Sequence, residues 1–406
     1  MKALVQLFKE SYSGIPRNMW LMALAMFINR SGSMVLVFMS VYLTKHMHFT
    51  LPQAGIVMAM FGIGSMTGAL IGGKLVDRIG FYPILIFSLL LSGIMLIALG
   101  QMRSYPLIAF FTFLVTATGD MFRPANSAAI SAYSTPENFP RAIALNRLAM
   151  NLGFTLGPVL GGWIASYSYN FLFWVDGITC LAAAVFIYQI LPKPKHETHK
   201  EPDVQKEKEI ISQSPYRDRA YLLFLLFTTL YATAFFQFFT SLPLFYKNEY
   251  HLSEQHIGWL LAFNGAGVVC MEMLLIYKIQ NHWTRFKFIA LGILFLVFAY
   301  MMLIPVHSVG ILVLSMFFIT ISEMLAMPFM STYAISRAPK SSMGRYMALY
   351  AVSWSLAQML APIVGTHLID HYGYTVLWVC LSGIALISFS GFRYLEYNDG
   401  KKLSRE

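Results

Sequence analysis

The sequence predicts an all-α membrane protein: twelve transmembrane helices in two pseudo-symmetric six-helix bundles. Three observations carry this expectation. Hydrophobic residues make up 57% of the 406 positions and charged residues only 12%, with a mean hydropathy of +0.60; soluble globular chains do not reach that balance. Apolar runs of about 20 residues, enough to cross a hydrocarbon core of about 30 Å as helix, recur along the whole chain. The two halves also repeat in the same direction at an offset of 203 to 204 residues, as in membrane folds built from parallel repeats.

The runs place the spans at 17–43, 52–77, 82–102, 105–132, 140–166 and 169–191, then at 219–246, 254–279, 285–305, 308–335, 342–369 and 373–395. Lys2, Lys9 and Glu10 precede the first apolar run, which lacks a small-residue cleavage site, so the first helix is expected to stay as an anchor. Pro192 to Glu209 is polar with mixed charge and nothing to bury, so 192–218 reads as a solvated cytoplasmic linker between an N-terminal bundle (1–191) and a C-terminal bundle with a short tail (219–406).

Lys and Arg set the orientation. One side holds Arg17, Lys74, Arg78, Arg141, the linker cations, Lys278, Arg285, Lys287, Arg337, Arg345, Arg393 and the tail; the other has only Lys45, Arg103 and Lys247. Both termini are therefore expected in the cytoplasm, in a bacterial inner membrane. The net charge of +10 follows from this bias facing anionic headgroups and calls for no nucleic acid.

The repeat is explicit in matched residues. Gly55, Gly62 and Gly64 correspond to Gly258, Gly265 and Gly267; Arg141, Pro158, Gly161 and Trp174 correspond to Arg345, Pro362, Gly365 and Trp378. It also pairs two acids within apolar helices. Glu323 stands five residues before Pro328, and Asp120, next to the matching position, stands four before Pro124. A carboxylate in mid-membrane is costly and marks a functional position by default.

Between the second and third spans runs Gly72-Gly-Lys-Leu-Val-Asp-Arg-Ile-Gly80. It resembles the cytoplasmic signature of the major facilitator superfamily, matched at Gly73, Leu75, Asp77, Arg78 and Gly80, with Phe81 and Tyr82 replacing the usual basic pair. The resemblance implies the major facilitator fold and a conformational latch in which Asp77 caps a helix of the opposite half. In the fifth span Gly153, Gly157, Pro158, Gly161 and Gly162 resemble the antiporter motif of the drug/proton antiporter branch. They serve either as a sealing bend or as close helix packing. Ser322-Glu-Met-Leu-Ala-Met-Pro328 resembles a tenth-helix pattern of proton-driven multidrug exporters and peptide/proton symporters. That resemblance implies proton coupling or substrate binding for Glu323 alone. The fourth helix departs from the antiporters: their Arg lies four residues before a Gly, where this chain has Val115, and Arg123 comes after Gly119 instead.

In this architecture the first, fourth, seventh and tenth helices line the cavity. Candidate cavity residues are Asn29, Arg30, Arg123, Asn151, Tyr231, Phe235, Gln237, Asn264, Trp354 and Gln358, polar donors and aromatic surface for an amphipathic ligand. Arg30 is expected either to serve the cavity or to form a structural pair with Asp120. Arg147 and Glu272 are expected to snorkel or pair between helices, and Asp176 to be solvated near the outer face. Cys180, Cys270 and Cys380 are far apart in apolar runs and read as buried small hydrophobes. The ten His show no ligand spacing and no phosphate-binding loop occurs, so neither an enzyme nor a metal or organic cofactor is expected. Energy would come from a proton gradient.

The resemblance implies a monomeric secondary transporter, its partners protons, a small-molecule substrate and membrane lipids. It would export amphipathic, drug-like compounds by alternating access, with Glu323 in proton coupling; the matching depth of Asp120 in the other half makes it the expected partner in that coupling or a substrate anchor. The alternative is proton-linked movement of one metabolite, such as a peptide, siderophore or amino acid. A transport-dead sensor would need those acids permanently paired.

Overall fold

The computed structural model describes residues 14–135, 138–193, 215–279, 282–304, 308–338 and 343–403; most of the expected linker, 194–214, lies outside them. The described residues are helical throughout, with no strand. In chain order the helices are α1 (Arg17–Ser31), α2 (Met34–Val41), α3 (Leu51–Ile79), α4 (Phe81–Gln101), α5 (Tyr105–Gly119), α6 (Phe122–Tyr133), α7 (Phe139–Tyr167), α8 (Tyr169–Ile190), α9 (Arg219–Phe235), α10 (Ser241–Asn248), α11 (Glu254–Ile279), α12 (Arg285–Met301), α13 (Val309–Arg337) and α14 (Met343–Leu403).

Among the described residues nine segments are long and apolar enough to cross a membrane, the last, Arg345–Asn398, covering two expected spans. Gly373, at φ 78°, divides α14 between those two spans. Large apolar side chains such as Phe87, Phe110, Trp163, Ile178 and Phe298 stand exposed along the helices. So many outward-facing apolar groups are stable only against lipid.

Three expected spans are interrupted. The first breaks at Gly32-Ser33 between α1 and α2, the fourth at Asp120-Met121 between α5 and α6, and the seventh through a 3₁₀ turn, Phe236–Phe239, between α9 and α10. The tenth, α13, continues through Pro328. Broken backbone in a membrane must find partners for the freed N–H and C=O groups, and Asn29, Arg30, Asp120, Arg123, Phe235 and Gln237 stand at or beside these breaks.

Contacts gather the described residues into two compact units, one drawn from Met1–Met39, Ile63–His199 and Ser253–Ala262, the other from Ser40–Gly62, Lys200–Leu252 and Phe263–Glu406. In the first, α1 packs on α7 and α8, and α4 on α5 and α8. Its core is made largely of small and flexible side chains, among them Met19, Met22, Ala25, Leu85, Ala183 and Ile187, which let helices approach closely. In the second, α9 packs on α14, and α12 on α13 and α14. That core is aromatic: Tyr300 stacks on Trp378 at 5.1 Å and its hydroxyl donates to the Ala234 carbonyl at 2.6 Å.

The repeat reappears in the backbone. His48 and His251, 203 apart, both adopt positive φ (56° and 51°), a conformation His tolerates better than most residues. The turns around them close with matching bonds, Phe49 N–H to Leu43 O at 2.9 Å and Leu252 N–H to Tyr246 O at 3.1 Å. In the first unit a Cβ on Gly258 would lie 2.3 Å from the Pro158 carbonyl, and in the second a Cβ on Gly55 would lie 3.1 Å from the Pro362 carbonyl. Each half thus packs a glycine helix onto the proline-containing helix of its partner sequence.

Candidate functional site

Glu323 lies on α13, half-buried. Asn264 of α11 donates its side-chain amide to the Glu323 carboxylate at 3.0 Å and to the Thr320 hydroxyl at 3.2 Å. Gly267, one turn further along α11, makes that approach possible: a Cβ there would come within 2.8 Å of Thr320. Beside the acid, Ser322 shares a hydrogen bond of 3.1 Å with the buried Tyr231 hydroxyl of α9. An aromatic series continues from it: Tyr231 stacks on Phe235 at 6.1 Å, and Phe236 meets Trp354 of α14 edge-on at 5.9 Å. The structure therefore brings Glu323 and Asn264 into contact, and Tyr231 reaches the acid's neighbour Ser322.

Gln237 is fully buried and engaged with its own surroundings. Its amide donates to the Ala361 carbonyl at 2.8 Å and its oxygen accepts from Ser241 at 2.6 Å and Thr240 at 3.2 Å. These bonds satisfy polar groups where α9 gives way to α10. Gln358 follows Trp354 by one turn of α14.

In the other unit Asn29 and Arg30 end α1. Asn29 turns its amide to the Cys180 sulfur at 3.4 Å, while the Arg30 guanidinium lies over the Phe154 ring, 5.4 Å from its centroid. Glycines of the fifth span make the seat: a Cβ on Gly153 would fall 2.5 Å from Arg30 Cβ, and Gly157 faces the carbonyls of Arg30, Ser31 and Ser33. Asp120, at the break after α5, pairs with Arg123 in the first turn of α6 at 3.0 Å, so its ion pair is within the fourth span rather than with Arg30. Asn151 lies half-buried on α7.

Two expectations are overturned: of the three cysteines only Cys180 is buried, Cys270 being exposed and Cys380 half-buried on outward-facing apolar helix surface, and the second concerns Asp176. Asp176 is not solvated: it is 2% exposed. Its carboxylate accepts the backbone N–H of Met34 at 2.9 Å and of Val35 at 2.7 Å. The break at Gly32-Ser33 leaves the first N–H groups of α2 without helical partners, and inside a membrane no water replaces them. An acid one helix away closes that deficit. The sequence signal was the Ser31-Gly-Ser33 triplet, a break that demands an acceptor without saying which residue supplies it.

Of the cytoplasmic signature, Asp77 and Arg78 are exposed at the end of α3. Gly80 takes φ 84°, which joins α3 to α4 through one residue and which a side chain would strain.

A sequence profile described as the Major Facilitator Superfamily matches residues 20–362. The chain is 24% identical over 384 residues to an uncharacterised MFS-type transporter, YttB, of Bacillus subtilis, covering 93% of this chain and 94% of that protein. It is 23% identical over 365 residues to the multidrug resistance protein MdtH of Salmonella arizonae, covering 86% of each. Two solved structures share its fold. A POT family transporter in complex with 5-aminolevulinic acid superposes with a TM-score of 0.78 at 14% identity, over 93% of this chain and 96% of that one. The nucleoside transporter NupG does so with a TM-score of 0.73 at 12% identity, over 94% and 99%.

Proposed function

The chain belongs to the major facilitator superfamily, and on that premise we propose that it is a secondary active transporter that exports amphipathic compounds in exchange for protons. It works by alternating access between two six-helix halves, twelve spans in all, with both termini cytoplasmic. Glu323 is the proton carrier, and Asp120, held by Arg123, is its partner or a substrate anchor. The observation that supports this reading best is the Asn264–Glu323 contact at 3.0 Å: a carboxylate on a membrane helix that accepts from the side-chain amide of a second helix. An acid placed within a membrane helix marks a functional position by default, and its carboxylate can gain and lose a proton. The similarity to MdtH, a multidrug resistance protein, points the same way.

Proteoliposomes carrying the purified chain, with an imposed pH gradient and ethidium as the amphipathic probe, test it. Gradient-dependent ethidium movement above that of empty vesicles is expected, and its absence rejects multidrug export. A second reading, movement of one defined metabolite, draws support from the directional groups around the acid: Asn264, Thr320, Ser322 and Tyr231. Such groups discriminate between ligands more sharply than apolar surface does. Under that reading ethidium stays put while a peptide or an amino acid moves.

A further inference from the structure

We infer that Arg30 is an anchor for an anionic group, a carboxylate or similar acid, on the transported molecule. The inference rests on the transport reading and names amphipathic acids among its substrates.

Arg30 ends a membrane helix, yet its guanidinium is not neutralised. Its buried Nε has no hydrogen-bond partner among the described residues, and its recorded contact is with the face of Phe154. Arg123 and Asp120 both lie near enough to act on its charge. Asp120 is already committed to Arg123 at 3.0 Å, and Asp176 is committed to the N–H groups of Met34 and Val35. The group therefore holds two guanidinium groups and one carboxylate, which Arg123 has taken. A cation left in that condition within a membrane helix is expensive. An arriving carboxylate would remove the cost, since a guanidinium presents a planar fork of donors that fits a carboxylate.

The position is also built. Any side chain at Gly153 would strike Arg30 Cβ at 2.5 Å and the Ser31 nitrogen at 2.9 Å, so the glycine of the antiporter-like motif fixes where the charge stands. Phe154, the next residue, supplies the ring on which the guanidinium rests. That stacking holds the fork without consuming its donors. Asn29, adjacent in sequence, is turned away to Cys180.

The test compares 1-naphthaleneacetate with its neutral isostere 1-naphthaleneacetamide, binding each by calorimetry to the purified full-length protein in detergent. The acid should bind at least about tenfold tighter than the amide, the worth of a charge-assisted hydrogen bond. Arg30→Gln should level the two and Arg30→Lys should keep part of the preference, with elution profile and melting temperature confirming that each variant is folded. Equal affinity in the wild type, or an undiminished preference in Arg30→Gln, overturns the inference. Repeating the wild-type measurement with added phosphatidylglycerol separates substrate from lipid: if the lipid displaces the acid competitively, the site belongs to a headgroup and the substrate assignment falls. Because binding is read without a gradient, a chain that binds the acid but moves nothing in vesicles would refute transport while leaving the anchor standing.

Discussion

The Asp176 carboxylate and the Val35 N–H meet at 2.7 Å across 141 residues of sequence, with Met34 N–H on the same carboxylate. A residue of α8 thereby terminates a break in the first span. Asp176→Ala leaves two buried donors unsatisfied and should cost about 1–3 kcal/mol for each donor so stranded, partly relieved by relaxation. Asp176→Asn, which retains one acceptor oxygen, should cost less. Melting temperatures of the purified variants check the order; wild-type stability in the Ala variant would show that α2 needs no such cap.

Glu323→Gln should abolish uptake or export driven by a pH gradient while leaving ligand binding in place, because the amide keeps the shape of the protonated acid. Asn264→Ala removes the donor at 3.0 Å. If the two act as a unit, the double variant should differ from the sum of the singles by about 0.5–2 kcal/mol in ligand binding free energy. Additive effects would separate Asn264 from the acid, and full gradient-driven transport by Glu323→Gln would move the coupling role to Asp120.

Asp218, just outside the seventh span, caps α9 by accepting the Tyr221 N–H at 3.1 Å, is forked by Arg337 at 2.8 and 2.9 Å, and accepts from the Tyr346 hydroxyl at 3.3 Å. Burial pushes its carboxyl up, but the Arg337, Tyr221 and Tyr346 hydrogen bonds together with the Arg337 charge outweigh burial and hold it below the usual carboxylate range. The folded chain then binds this proton less readily than the unfolded chain, so stability rises with pH through that window. The contribution is fully present above the unfolded value, about 3.9, and is lost as pH falls through the lower folded value. Asp218→Asn keeps the cap, since Asn caps as well as Asp, but loses the charge-assisted bonds to Arg337; it should flatten the acid limb of a melting-temperature profile and cost about 1–2 kcal/mol near neutrality. An unchanged acid limb would assign the slope to other carboxylates.

Gly258→Ala would place a methyl 2.3 Å from the Pro158 carbonyl, and Gly162→Ala one 2.5 Å from the Glu254 carbonyl. Both neighbours are backbone and cannot swing aside. Each variant should force α11 away from α7 and destabilise by about 1–3 kcal/mol, whereas Gly73→Ala meets nothing within 4 Å and should melt like wild type. Equal melting for all three would mean that the helices separate freely here.

Asp77→Asn tests the latch that the cytoplasmic signature implies. Loss of a charged helix cap costs about 1 kcal/mol, enough to change a two-state population about fivefold. Turnover should slow at unchanged surface level, and distances between labels placed on helix ends on the Asp77 side should redistribute. Unchanged distances and turnover would remove Asp77 from the switching machinery.

The membrane class, the order of the helices and the repeat were legible in the sequence because they rest on local quantities. A run of apolar residues must be helical in lipid whatever surrounds it, and glycines and prolines 203 to 204 apart mark the same packing task twice: Gly258 on Pro158, Gly55 on Pro362. The two membrane acids were legible for the same reason, since a charge in an apolar run stands out on its own. What the tertiary structure alone decided was partnership. Arg30 and Asp120 are both visible in the sequence, but Asp120 takes Arg123, and Arg30 is left over Phe154. Gln237 is a polar residue in an aromatic stretch, and only the arrival of Ala361 from α14 shows its amide to be occupied. Asp176 sits near a span end, where sequence position favours water, yet the break in a different helix draws it inside. Hydrogen bonds and ion pairs depend on which backbone groups are left open nearby, and that is set by helices distant in sequence.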